Sequence, residues 1–342
     1  MTSRHERMVR VAAGAALVML GAAGPSGHPP SGRPATLTSA TLTTDPTPYV
    51  DMCDASAAIA IGPDTFMVAN DEDNILRAYK IGEPSPIARL PLPFLKAKRE
   101  ADLEGVTRLG DVVYWIGSHA RNKGGEKRSD RQTLFGTRIS TAGGTITVTP
   151  EGKPYKKLLD RFIEPLLESR GFTDAASKAP ESGDALNIEG LAASGTSLLI
   201  GFRNPLPQGK ALVAELTNPT ALLANGSAKP QLGKVFELDL GGLGIRSLEW
   251  ISEDLGFLIV AGPAITEGEF VVYRWRDTTQ SPIRVDGSTF DNFGAETLFA
   301  PPSSTTVYAL SDDGDQPSPT GGLCKDAPAE QRHFRLAKLT FD

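Results

Sequence analysis

The chain has 342 residues, with 35 Lys and Arg against 41 Asp and Glu, a formal net charge of −6 and 40% hydrophobic residues. An acidic balance of this kind argues against a nucleic-acid partner, which calls for a basic face, and leaves small ligands and proteins open. Abundant glycine (35) and proline (26) point to a core built from many short strands separated by turns.

Arg4, Arg7 and Arg10 precede an apolar run over residues 11–23, and small residues follow. That order has the shape of a secretory signal peptide, expected over residues 1–24, and the run is too short to span a bilayer. Residues 25–44, rich in Pro, Gly, Ser and Thr, read as a flexible leader. No later apolar stretch is long enough for a membrane helix. The expectation is an exported protein, periplasmic or extracellular, with no membrane span in its mature form. Cys53 and Cys324 are the two cysteines; in such a compartment they suit a disulfide joining the first and last repeats, with two free thiols as the alternative.

A repeat organises residues 45–342, which read as one domain. Unit one runs from Ser56 to Gly62, then Phe66-Met67-Val68-Ala69-Asn70-Asp71-Glu72-Asp73. Unit two has Glu104-Gly105-Val106, then Tyr114-Trp115-Ile116-Gly117-Ser118-His119-Ala120-Arg121-Asn122. Unit three has Glu189-Gly190-Leu191, then Leu198-Leu199-Ile200-Gly201-Phe202-Arg203-Asn204. Units four and five, aligned on Glu249 and Glu296, are looser. The anchors lie about 48, 85, 60 and 47 residues apart, and periods in the forties suit a four-stranded propeller blade. The fold expected is all-β, a β-propeller of five blades, with six as the alternative if a degenerate blade hides in the long second interval. One outer strand is missing from the last unit, and the segment 40–52 is placed to supply it and close the ring. Within the long interval, residues 155–172 carry Leu158, Leu159, Phe162, Ile163, Leu166 and Leu167 at helical spacing, which predicts one inserted amphipathic helix packed on the propeller or offered to a partner.

Antiparallel neighbours put the start of each first strand and the end of each second strand at one face, so the repeat gathers its polar residues at one channel mouth. Glu104, Glu189, Glu296 and His119 are the candidate catalytic residues. Arg121, Asn122, Arg203, Asn204 and Arg246 are candidate ligand binders, and Asp54, Asp71, Asp73, Glu249 and Asp312 are candidate metal ligands. So many carboxylates in one funnel repel one another. Either a hard cation such as Ca²⁺ sits among them, or Arg121, Arg203 and Arg246 pair with them, or the glutamates accept backbone hydrogen bonds and tie blades together. The basic loop after unit two could hold a phosphate or carboxylate at His119 and Arg121, with residues 127–131 as a solvated remainder. No Gly-rich phosphate loop, Gly-x-Ser-x-Gly elbow or His-Glu-x-x-His motif occurs.

The run Cys53 to Ala58, Glu104-Gly105-Val106 with Tyr114 to Asn122, Leu186-Asn187-Ile188-Glu189-Gly190-Leu191 with Gly201-Phe202-Arg203-Asn204-Pro205, and Cys324-Lys325-Asp326 together resemble a bacterial propeller family registered as a domain of unknown function. The resemblance covers residues 49–341 and implies a propeller with no assigned reaction. More distantly, the Glu-Gly repeat is similar to phytase-like esterase propellers and metal-dependent lactonase propellers, which place carboxylates around a central metal. The functional expectation is a small anionic ligand at a carboxylate-lined mouth, with hydrolysis of a phosphate ester or lactone by a divalent metal. The alternative is a non-catalytic envelope scaffold that binds a protein.

Overall fold

Short runs of small and apolar residues make the inner strands, and turn residues such as Gly110 and Gly195, both at positive φ, reverse the chain after the first strand of blades two and three. The computed structural model describes residues 37–45, 47–265, 268–302, 304–319 and 321–341. The stretch expected to be a signal peptide lies outside these residues. The chain enters through β1 (Ala40–Thr44) and β2 (Tyr49–Val50). Blade one is β3 (Ala55–Ala60), β4 (Thr65–Asn70), β5 (Ile75–Lys80) and β6 (Ala88–Pro91); blade two is β7 (Leu103–Leu109), β8 (Val112–Gly117), β9 (Leu134–Ser140) and β10 (Thr147–Tyr155). Blade three is β11 (Asn187–Ser194), β12 (Ser197–Asn204), β13 (Ala211–Leu216) and β14 (Leu232–Leu238). Blade four is β15 (Gly244–Ser252), β16 (Gly256–Gly262), β17 (Val271–Trp275) and β18 (Ile283–Arg284). Blade five combines β19 (Ala295–Phe299) and β20 (Thr306–Ser311) with the C-terminal β22 (Leu336–Phe341) and with β1 at its edge. Before β22, the short β21 (His333–Phe334) pairs with β2.

There are thus five blades and not six, and the long interval holds an insertion. Ala40 pairs with Phe341 and Thr44 with Ala337, so an N-terminal strand completes the last blade as the repeat count requires. Residues 40–44, assigned to the leader on composition, belong to the propeller. Cys53 and Cys324 form a buried disulfide that closes the ring a second time.

Inner strands approach closely around the channel. A Cβ on Gly105 would stand 2.8 Å from the Leu191 Cβ, and one on Gly190 would stand 2.9 Å from Ile245 Cγ2. The glycine after Glu104 and the glycine after Glu189 therefore have a packing reason, because a side chain there would push neighbouring blades apart. Hydroxyls, not glutamates, tie blade to blade through the backbone. Thr297 accepts from Ala58 N at 2.9 Å, Thr107 from Ala193 N at 3.0 Å and Ser247 from Leu298 N at 3.0 Å.

The insertion between blades two and three is helical over Leu159–Ile163, a π turn, and then α1 (Glu164–Glu168), shorter than the periodicity over 155–172 predicts. Its apolar stripe is buried against Tyr114, Ile188, Phe202 and Leu212. Burial of that stripe removes the reading in which it is offered to a partner. A second short helix, α2 (Pro219–Ala224), bridges β13 and β14 and was not expected from the pattern. Among the described residues no helix is long and apolar enough to cross a membrane.

Candidate functional site

Every inner strand carries an irregularity at the same place. The pairing of the first two strands shifts register between Ala55 and Ala57, Leu103 and Gly105, Ile188 and Gly190, Ile245 and Ser247, and Ala295 and Thr297. The extra residue is Ser56, Glu104, Glu189, Arg246 or Glu296 in turn. A bulge leaves its residue out of the ladder and re-aims its side chain, and all five line one cavity of about 470 Å³ at the channel mouth. The equivalent of the glutamates in blade four is therefore Arg246. Glu249, three residues further along β15, does not line the mouth, and burial alone pushes its carboxyl well above the usual range.

Arg246 divides the mouth into two halves. Its Nε donates to Glu296 Oε2 at 2.9 Å, Nη2 donates to Glu296 Oε1, and Nε lies 2.9 Å from Glu189 Oε2. Because that N–H points at Glu296, Glu189 Oε2 gains the neighbouring charge without a hydrogen bond. Glu189 Oε1 accepts from Asn187 Nδ2 at 2.8 Å and from Arg203 Nη1 at 3.1 Å. Phe270 stacks beneath the Arg246 guanidinium at 5.4 Å. Burial lowers Arg246 to about 10, which still leaves it charged at neutral pH. This side realises the arginine-pairing alternative: two glutamates of blades three and five share the arginine of blade four.

The other half, in blades one and two, is acidic and crowded. Asp71, Asp102 and Glu104 each present an oxygen within 4.8 Å of the others, and Asp71 Oδ1 is buried with no partner. Burial first, then the neighbouring carboxylates, raises Asp71 and Glu104 well above ordinary carboxyl values. Burial also lifts Asp102 to about 6, although Arg131 donates to it at 2.8 Å and Ser118 makes a short hydrogen bond to it. At the seam with blade five, burial and the adjoining Asp312 push Asp54 to about 8. Asp312 accepts from Gly314 N at 2.8 Å, and only glycine fits there, because a Cβ would fall 1.7 Å from Asp54 Oδ1.

Asp102 was missed, and its signal was present. It stands two residues before the bulge, as Asp54 does before Ser56 and Asn187 before Glu189, so the same offset repeats an oxygen-bearing side chain in three blades. Arg131, read as part of a solvated loop, instead reaches into the mouth to hold Asp102 and Glu100, the latter at 3.1 Å. Asn122 lines the mouth while bonding Glu126.

The expectations for Asp73, Asn204, His119 and Arg121 are redirected. Asp73 is held by Arg77 at 2.8 and 3.1 Å away from the mouth, in the same way that Asp313 is held by Arg335. Asn204 is fully buried and donates to the Pro180 and Ser182 carbonyls, so it pins the loop and does not face the cavity. His119 and Arg121 line a separate recess and pair with no carboxylate among the described residues. Ser56 Oγ donates to the Leu103 carbonyl at 2.6 Å and is a latch between blades one and two.

Burial, with Lys156 adding to it, lowers His119 to about 4. The unfolded value is about 6.5, so the unfolded chain takes a proton that the folded state refuses. Stability should fall as pH drops from about 6.5 to about 4, by about 3 kcal/mol. His119→Asn keeps a residue tolerant of the left-handed backbone here (φ 57°) and should flatten that slope. Urea unfolding at pH 7 and pH 4.5 checks it: an unchanged difference between the two pH values would exclude His119 as its source.

These features define a five-bladed β-propeller whose channel mouth is lined by carboxylates and arginines. Residues 158–289, from the insertion through blade four, match a family described as "Protein of unknown function (DUF3616)", in keeping with the resemblance drawn from the motifs. No curated protein matches the sequence. Solved structures that align include Myxococcus xanthus glutaminyl cyclase, at 9% identity over 89% of this chain and 99% of that one, with a TM-score of 0.47. The PQQ-bound aldose sugar dehydrogenase of Streptomyces coelicolor aligns at 9% identity over 88% and 99%, TM-score 0.43. A Thermus thermophilus oxidoreductase described as a glucose dehydrogenase aligns at 11% identity over 88% and 99%, TM-score 0.45. At such identities no chemistry transfers.

Proposed function

We propose that the acidic half of the mouth binds a hard divalent cation, best suited to Ca²⁺, and that the cation holds a small anionic ligand against the arginine half. The observation that carries this reading is the convergence of Asp71, Asp102 and Glu104 oxygens within 4.8 Å, one of them buried and unpartnered. An all-oxygen donor set favours Ca²⁺ over softer metals. Asp54 and Asp312 lie on the same wall and can supply further oxygens. The reaction this arrangement suits is hydrolysis of a phosphate ester or lactone. The cation would polarise the substrate oxygen, Glu104 would take a proton from the attacking water, and Arg203 and Arg246 would offset the developing negative charge. Export belongs to the same reading: a buried disulfide indicates a non-reducing compartment, and the N-terminal sequence has the shape of an export signal.

Calcium titration of chelator-treated protein tests the cation. Added Ca²⁺ should raise the melting temperature and release protons, since the cation replaces the protons that the crowded carboxyls retain. Asp71→Asn and Glu104→Gln should each abolish both responses. Without metal, Glu104→Gln should be more stable than the parent, because burial and the neighbouring carboxylates disfavour the charged form of Glu104. A parent protein whose melting and proton balance ignore millimolar Ca²⁺ would overturn the proposal.

A further inference from the structure

The insertion that lengthens the interval between blades two and three builds a second recess, of about 180 Å³, against the loop that follows β8. His119, Arg121 and Gln132 come from the loop, and Glu164 and Thr173 from the insertion. His119 is 1% exposed and adopts φ 57°, a left-handed backbone that non-glycine residues adopt at a cost and that clusters at functional positions. Its Nδ1 lies 2.8 Å from the Gly117 carbonyl oxygen. A carbonyl only accepts, so Nδ1 carries the proton and Nε2 presents a bare lone pair. That Nε2 is buried and has no hydrogen-bond partner. Arg121 is fixed by Nε on the Ala176 carbonyl at 3.1 Å and by Nη1 on the Gly125 carbonyl at 3.0 Å. The guanidinium thus spans loop and insertion, and its Nη2 makes no hydrogen bond among the described residues.

An unfilled buried acceptor and an unfilled cationic donor in one recess call for a ligand with the opposite pair. We propose that this recess binds a small oxyanion that also carries an O–H group, hydrogen phosphate or a short hydroxy acid, its O–H donating to His119 Nε2 and its anionic oxygens accepting from Arg121 Nη2. Lys127 adds positive charge at the rim, Arg128 is paired with Glu126 at 2.8 Å, and the Asp174 carboxylate is occupied by Lys178 at 2.9 Å. The volume lies below the roughly 300 Å³ at which drug-sized sites begin, which restricts the ligand to a few heavy atoms. A buried lone pair also discriminates: an anion lacking the O–H leaves Nε2 unpaired and binds more weakly. This inference stands apart from the cation reading, since the two cavities share neither His119 nor Arg121.

The test titrates the purified full chain separately with sodium phosphate and sodium lactate, following binding by calorimetry and the His119 ring nitrogens by ¹⁵N NMR. One of the two should saturate and move the Nε2 resonance. His119→Asn and Arg121→Lys should each weaken that binding at least tenfold, while Glu104→Gln, in the other cavity, leaves it within twofold. Saturation by phosphate alone identifies a phosphate site, and saturation by lactate identifies a hydroxy-acid site. Failure of both probes to bind by about 10 mM, a bound state worth under about 3 kcal/mol, overturns the proposal. So does binding that His119→Asn and Arg121→Lys leave unchanged.

Discussion

Replacing Arg246 by alanine is expected to destabilise the propeller by about 3–5 kcal/mol, because it strands the buried Glu296 without its cation and leaves the buried Glu189 with Arg203 alone. Glu189 and Glu296 are 3% and 6% exposed, so both depend on the guanidinium more than on water for solvation. In a chain of this size the loss corresponds to a fall in melting temperature of roughly 10 °C. The companion variant Arg246→Ala with Glu189→Gln and Glu296→Gln should recover most of it, because uncharged amides no longer need a counter-charge. Calcium should also recover part of the loss in the single variant by taking the arginine's place between the carboxylates. Thermal melts of the three proteins, with and without calcium, decide the matter. If Arg246→Ala melts within a degree of the parent, the bridge between blades three, four and five carries little stability.

Removing the disulfide should have an effect of similar size by a different route. Cys53 and Cys324 are separated by 271 residues, and chain-entropy arguments assign a closed loop of that length up to about 5 kcal/mol through restriction of the unfolded chain. Cys53→Ser with Cys324→Ser should therefore lower the free energy of unfolding by several kcal/mol. The native contacts of β1 with β22 should survive, so the ring stays closed at its outer edge. Urea unfolding of parent and double variant measures this. A difference below about 1 kcal/mol would mean that the pairing of the two termini alone already provides the closure. Asp54 and Lys325, each next to a cysteine, both line the mouth, so the double variant should also weaken the calcium response.

The blade count and the closure by an N-terminal strand were legible because both follow from periodicity and the need to leave no sheet edge open, and the cysteine pairing because an even pair in a chain with an export-like N-terminus suits a disulfide. The site was legible only by half. Glu104, Glu189 and Glu296 were found because they keep one residue type at one register. Arg246 was seen as a strand-start residue but not as the fourth anchor, since alignment on a carboxylate chose Glu249 three residues later. The reason is physical: the register shift at each inner strand selects a position, and position does not reveal chemical type. Asp102 and Arg131 escaped because their roles depend on how the chain turns just outside the strands. His119 was misplaced for the same cause. His119 itself, left-handed just after β8, lies with Arg121 in the neighbouring recess while Asn122 stays at the mouth, and strand alternation carries no trace of that turn.

The five bulges have a consequence for how this mouth can be altered. Each one frees its residue from the ladder, so strand pairing does not depend on what that residue is. Serine, glutamate and arginine already occupy the same seat in different blades with the same local backbone. The mouth therefore behaves as a socket with five seats whose backbone accepts different side chains, and whose polarity can be rewired where the charges of neighbouring seats are rebalanced together.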